Sequence, residues 1–138
     1  MIKIIILNGP NLNLLGEREK NQYGTETLED IEKSCKKFAE KNQVKVDFFQ
    51  SNIEGELVEK IHFQAQKLKV APWTDPDSDM GPVISNDHKN KIENYINLGV
   101  KEGATLIEDG RNYKIQGYEK GYFIGPTLFD NVTKEMTI

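Results

Sequence analysis

Two residues in the loop after the first apolar run, Arg18 and Tyr23, are of types that together could remove a proton from carbon. A tyrosine serves as a base near neutral pH only when its phenolate is stabilised, and a nearby guanidinium is the simplest means. The loop, NGPNLNLLGEREKNQYG, also carries Asn8, Asn11 and Asn13, whose amides can address a polar substrate, and Gly9-Pro10 turns the chain at its start. It spans residues 8–25, long for a connector inside a compact domain, and loops of that length tend to be functional or disordered. By spacing alone, two solvated loop residues remain the more ordinary reading of Arg18 and Tyr23.

The loop is placed by its flanks. Residues 3–7 form a short apolar run, as in a strand buried on both faces. Leu28, Ile31, Cys35 and Phe38 share a helical face, with Thr25 or Thr27 available to cap it. Val44, Val46 and Phe48 alternate as in a strand, and Leu57, Ile61, Ala65 and Leu68 make a second helical stripe. Residues 2–68 therefore predict β-loop-α-β-α with parallel strands. In open α/β sheets ligands sit beyond the carboxyl ends of the strands, where this loop lies.

Beyond residue 68 the character changes. Residues 1–69 carry eleven basic and eleven acidic side chains, so the whole net charge of −4 falls in residues 70–138. VAPWTDPDSDMGPVIS is irregular, Ser85 suits an N-cap, and Ile92, Tyr95, Ile96 and Val100 form an amphipathic face that Gly103 would end. ATLIEDG reads as a strand and turn, and YFIGPTLFDNV as strand, Gly-Pro break, strand. A short strand at 68–71, a helix at about 86–102 and a strand at about 105–108 would prolong the β-α rhythm, and one of these strands is expected beside the first.

Composition excludes several classes. The acidic balance and absence of a basic stripe argue against nucleic acid. No apolar run approaches the ~18 residues of a membrane span, and the first residues lack a signal-peptide pattern. Cys35 is the only cysteine, so neither an internal disulfide nor a cysteine zinc site is expected, and a cytoplasmic setting fits. Asp75, Asp77 and Asp79 alternate like a calcium loop, but Met80 and Asn86 stand where such a loop needs Gly and Glu. Asn131-Val132-Thr133 matches a glycosylation sequon, which matters only after secretion. No phosphate-binding glycine motif is present. His62 reads as packing or surface polarity, and His88 sits in the first turn of its helix.

LNGPNLNLLGEREKNQYGTETLEDI followed by QSNIEGELVEKIH closely resembles type II 3-dehydroquinate dehydratase over about residues 1–63. The resemblance implies a flavodoxin-like fold and a shikimate-pathway hydro-lyase that eliminates water in trans fashion from 3-dehydroquinate through an enolate. It also implies a homo-oligomer, commonly a dodecamer, and neither metal nor cofactor. By match, Tyr23 takes the C2 proton, Arg18 lowers the tyrosine pKa and steadies the developing charge, and Asn11 supplies a substrate-side amide. The family's later loop, its acid histidine and its carboxylate-gripping arginine do not follow His62.

Instead DPDSDMGPVIS, GVKEGATLIEDGR and GYFIGPTLFDNV resemble a piece of an aldehyde dehydrogenase, most like methylmalonate-semialdehyde dehydrogenase, over about 67–138. That family's nucleophilic cysteine would lie upstream of Leu68, its ribose-holding glutamate beyond Ile138, and its dinucleotide domain elsewhere. Cys35 occupies a core position of the dehydratase-like helix and is no substitute. The expected molecule is a chimera, 1–66 from one parent and 67–138 from the other, joined where both are helical. Dehydratase activity is expected to be impaired, and an inactive fragment of an NAD-dependent dehydrogenase is the alternative. Trp73, Phe123 and Phe129 are the side chains expected to be stranded by missing partners.

Overall fold

The computed structural model describes residues 2–18 and 20–138, and of Tyr23 the backbone alone. The chain divides into two compact units, residues 1–59 and 60–138. Both are mixed α/β.

In the first unit β1 (Lys3–Asn8) and β2 (Lys45–Gln50) pair in parallel, Lys3 opposite Lys45 through Asn8 opposite Gln50. Parallel neighbours need a crossover, and α2 (Leu28–Lys41) supplies it. Thr27 caps that helix: its hydroxyl accepts from the Asp30 N–H at 3.2 Å, and the Asp30 carboxylate accepts from the Thr27 N–H at 3.1 Å. This reciprocal pair satisfies two donors that the helix start would otherwise leave open. Ala39 is the buried contact of α2. The long loop between β1 and α2 is not bare coil, since it holds a 3₁₀ turn at Leu12–Leu14 and the single-turn α1 (Lys20–Tyr23). After β2, Ser51 is buried; its hydroxyl donates to Glu56 at 2.5 Å and accepts from the Ile53 N–H at 2.9 Å, which fixes the entry into α3 (Glu54–Ala65).

The second unit is built around α4 (Asn86–Glu102), capped by Ser85 and ended by Gly103 at φ 99°. The antiparallel pair of β3 (Thr105–Glu108) and β4 (Leu128–Asp130) follows, with a register shift between Leu106 and Glu108. Gly99 lets α4 come close to β4: a Cβ there would lie 2.9 Å from the Phe129 ring and 2.6 Å from Ile138. Val70, Ala71, Ile96, Ala104, Phe123 and Ile124 form the core.

Four expectations are corrected. No later strand pairs with β1 among the described residues; β3 pairs with β4 in its own sheet. The strand expected at 68–71 is a single bridge, Val70 to Met80, because the Lys69–Asp79 backbone turns back at once. Residues 122–124 are not a regular strand, although the Tyr122 carbonyl accepts from the Val83 N–H at 2.9 Å. Phe123 is not stranded either: it is 3% exposed, whereas Trp73 is 85% exposed.

Several carboxylates hold their charge more firmly folded than unfolded. The Thr27 hydroxyl holds Asp30 below the ordinary carboxylate range, Lys69 does so for Asp75, Thr137 for Glu102 and Arg111 for Asp109. A depressed folded pKa contributes stability that is present above the unfolded value and lost as pH falls through the folded one. The urea midpoint is therefore expected to hold near neutrality and fall progressively below about pH 4. A midpoint that rises on acidification would contradict this assignment.

Candidate functional site

The loop after β1 is held by residues of the neighbouring parallel strand. The Asn11 N–H donates to Asn52 Oδ1 at 2.8 Å, and Asn11 itself takes the left-handed conformation at φ 66°. Gln50 Nε2 donates to the same Asn52 oxygen at 2.9 Å and approaches the Gly9 carbonyl at 3.4 Å. Asn52 thus gathers the loop and the end of β2 on one acceptor. Gly16, at φ 80°, brings the loop back against the helix start: a Cβ there would lie 2.8 Å from the Thr25 carbonyl oxygen.

Pro10, Asn11, Leu12, Leu15 and Arg18 line a hollow of about 170 Å³. Two of the three sequence-derived site residues, Asn11 and Arg18, therefore meet there. Tyr23 lies on the backbone of α1, and its side chain is outside the described residues. Ligand pockets usually run to ~300–1,000 Å³, so the hollow is smaller than an ordinary ligand site. The Asn8 side-chain amide nitrogen, at the end of β1, is buried without a hydrogen-bond partner; a polar group bound near it would satisfy it. Gln50 and Asn52 escaped the sequence reading as loop anchors. Their signal was the QSN triplet at the end of a strand, on the edge where open α/β sheets place ligands.

The second unit carries a separate polar cluster. His62 Nε2 lies 2.6 Å from Glu108 Oε2, and Gln66 Nε2 lies 3.0 Å from the imidazole and 3.2 Å from the carboxylate. Next along the chain, Arg111 grips Asp109 with Nε at 2.8 Å and Nη2 at 2.6 Å. Asp75, the first of the three alternating aspartates, pairs with Lys69 at 2.8 Å and accepts from the Asp77 N–H. Among the described residues no group of three or more His, Cys, Asp or Glu side chains could hold a metal ion. No helix of the described residues is long and apolar enough to cross a membrane.

The described residues do not form the strand–turn–helix cradle that holds a dinucleotide's pyrophosphate. Such a site needs a glycine-rich turn that leads a strand directly into a helix of useful length, so that free N–H groups meet the pyrophosphate. Among the described residues β1 leads into a 3₁₀ turn, and β2 leads into α3, whose first turn sets Glu54 and Glu56 against any pyrophosphate. β3 ends at Glu108, followed by Asp109, carboxylates already engaged by His62 and Arg111.

Comparison with known proteins finds two families in the chain, over stretches that overlap at residues 42–71. Residues 2–71 match the model of dehydroquinase class II, and residues 42–138 match that of the aldehyde dehydrogenase family. A malonate-semialdehyde dehydrogenase of Halalkalibacterium halodurans is 52% identical over 82 residues, which is 59% of this chain and 16% of that protein. Malonate-semialdehyde dehydrogenase 1 of Geobacillus thermodenitrificans is 48% identical over 88 residues, 63% of this chain and 18% of the relative. The chain thus spans less than a fifth of the length of these curated relatives. Among solved structures, methylmalonate-semialdehyde dehydrogenase from Oceanimonas doudoroffii superposes with a TM-score of 0.60 at 32% identity, covering 99% of this chain and 26% of that one. Mycobacterium tuberculosis aldehyde dehydrogenase, solved with NAD+, gives 0.55 at 36% identity over 60% of this chain and 17% of its own. The chain belongs to dehydroquinase class II over residues 2–71 and to the aldehyde dehydrogenase family over residues 42–138, and is a chimera of the two.

Proposed function

We propose that the later portion is a piece of an NAD-dependent malonate- or methylmalonate-semialdehyde dehydrogenase that does not itself oxidise aldehydes. The observation that carries this is the 52% identity over 82 residues to a malonate-semialdehyde dehydrogenase. Aldehyde oxidation by such an enzyme needs a thiolate to attack the carbonyl and a dinucleotide to take the hydride. Cys35, the only cysteine, stands on α2 beside Phe38 and Ala39, in the part that matches the other family. The described residues form no pyrophosphate cradle.

A second reading is favoured by the hollow that Asn11 and Arg18 share. In it the first unit retains part of a 3-dehydroquinate dehydratase site: Tyr23 removes the C2 proton, Arg18 steadies the negative charge and Asn11 addresses the substrate through its amide. The departing hydroxyl still needs a proton donor, and lack of one typically costs ~10²–10⁴ in rate. A cytoplasmic setting suits both readings.

One experiment separates them. 3-Dehydroshikimate formation is followed by its ultraviolet absorbance in the parent chain and in Tyr23→Phe, and NAD is titrated into the parent by calorimetry. No turnover and no NAD binding are expected from the folded chain. Turnover that Tyr23→Phe lowers by ~10² or more would establish the second reading. Saturable NAD binding would overturn the first.

A further inference from the structure

We propose that two copies of this chain associate through β1, the strands running antiparallel about a two-fold axis at Ile5 so that the apolar grooves beside their α2 helices face each other. The proposal is independent of either functional reading.

The strand edge is the first observation. The Ile2 and Asn8 carbonyls accept from the Lys45 and Ser51 N–H groups on the β2 side. In a parallel pair the backbone groups of alternate residues point to opposite edges. Lys3, Ile5 and Leu7 therefore turn theirs outward, where no strand of the described residues pairs with them. Such an edge is a template for another strand, and here it is self-complementary. With Ile5 opposite Ile5 of the second copy, Lys3 falls opposite Leu7 and every outward N–H and C=O finds a partner.

The groove lies on the same side. Ile4 and Ile6 of β1 and Val46 of β2, with Ser34, Cys35 and Phe38 of α2, line a hollow of about 410 Å³ that opens along the β1 side of α2. The opposite flank of α2 differs: Lys36, Glu40 and Gln43 stand there over β2, and the Lys36 ammonium sits 5.2 Å from the Phe48 ring. Only the β1 flank is left apolar and open, with Phe38 70% and Ile4 48% exposed. A two-fold axis perpendicular to the sheet keeps both α2 helices on one face, so the two grooves meet across the new strand pair.

Charge and area select a second copy as the occupant. Ile31, Ser34, Cys35, Phe38 and Asn42 give α2 an uncharged flank towards the axis. Lys3 is the one charge on β1, and its symmetry mate lies four residues away along the seam, roughly 13 Å, beyond the screening length at physiological salt. Ile2, Ile4, Ile31 and Phe38 together expose on the order of 400 Å² per copy, within the range of a monomer's largest apolar patch and about half of a standard interface, to which the strand pairing adds backbone area. The dimer is accordingly at the weak, concentration-dependent end of specific association.

Sedimentation velocity across about 5–500 µM, on the full chain, tests this. A monomer–dimer equilibrium is expected. Phe38→Glu is chosen because its side chain is already exposed; it should weaken the dimer tenfold or more, while Val132→Glu, an exposed apolar site of the other unit, leaves it unchanged. Amide exchange at Ile5 and Leu7 should slow as the parent's concentration rises. A monomer throughout, a dimer indifferent to Phe38→Glu, assemblies that grow past dimer, or concentration-independent exchange at Ile5 and Leu7 would each overturn the proposal.

Discussion

Replacing Gly110 by alanine is expected to abolish the folded state of the unit formed by residues 60–138. A Cβ at that position would lie 1.9 Å from the Gly125 carbonyl oxygen, 2.4 Å from its carbonyl carbon and 2.8 Å from Thr127 Oγ1. The first two are backbone atoms, so no rotamer change relieves the overlap. Separation to normal contact needs a shift of more than ~1 Å. That shift breaks the bonds that define the approach, Gly125 N–H to the Gly110 carbonyl at 2.8 Å and Gly110 N–H to Thr127 at 3.1 Å. Each is worth about 1 kcal/mol net, and the buried groups left behind cost about 1–3 kcal/mol apiece. Phe123 and Ile124, two of the buried core residues, lie immediately before Gly125 and would move with it. The total exceeds the ~4–5 kcal/mol that marks an exceptional substitution. Amide chemical-shift dispersion reads the result directly: residues 104–130 should collapse to random-coil positions. Gly117→Ala is the control, since nothing lies within 4 Å of its Cβ site and only the left-handed backbone at φ 82° resists it. Retention of dispersed signals by Gly110→Ala would show that the two segments are not locked together as described.

Phe123→Ala is expected to lower stability by about 3–5 kcal/mol, the usual range for a fully buried phenylalanine. The ring is 3% exposed and meets Tyr118 edge to face, centroids 6.5 Å apart at 82°. Gly121 lies against it, a Cβ there being 2.3 Å from the ring, so Gly121 cannot fill the space without moving backbone. Few buried apolar residues stand beside it, which makes this ring a large share of the core. Trp73→Ala, at 85% exposure, should stay within about 0.5 kcal/mol. Urea unfolding of the two variants beside the parent checks both numbers, and equal midpoints for them would contradict the burial.

The sequence treated Phe123 and Trp73 alike, because each looked like a residue shaped for a partner left behind. What separates them is long-range: the Val83 amide reaches the Tyr122 carbonyl and Gly125 closes on Gly110, and neither contact has a local periodicity to announce it. Local signals were legible. Ser85 and Gly103 delimited α4, Thr27 was one of two candidate caps for α2, and TLIE was a strand. The partner of that strand was not legible, since a four-residue apolar run says nothing about which neighbour will satisfy its edge. At the loop, spacing alone left Arg18 an ordinary solvated residue, and it was the family resemblance that singled out Asn11 and Arg18, which the structure puts on one hollow. Asn52 was missed because an asparagine after a strand looks like any turn residue until its oxygen is seen accepting from the Asn11 N–H and from Gln50.

The pairing of Lys3 with Lys45 has a consequence for how the chain reaches this state. That contact closes a loop containing all of α2, whereas β3 and β4 close a shorter one with no helix inside. Closure entropy rises with loop length, and non-local contacts are slow because that entropy is spent before any contact repays it. A helix formed early shortens the flexible part of the span. The first unit therefore depends kinetically on α2, whose Thr27–Asp30 capping box helps the helix to form before either strand has a neighbour. During that interval IKIII and VDFF are exposed apolar strands, and the second unit, with its shorter loop to close, is the one to gain its native sheet first.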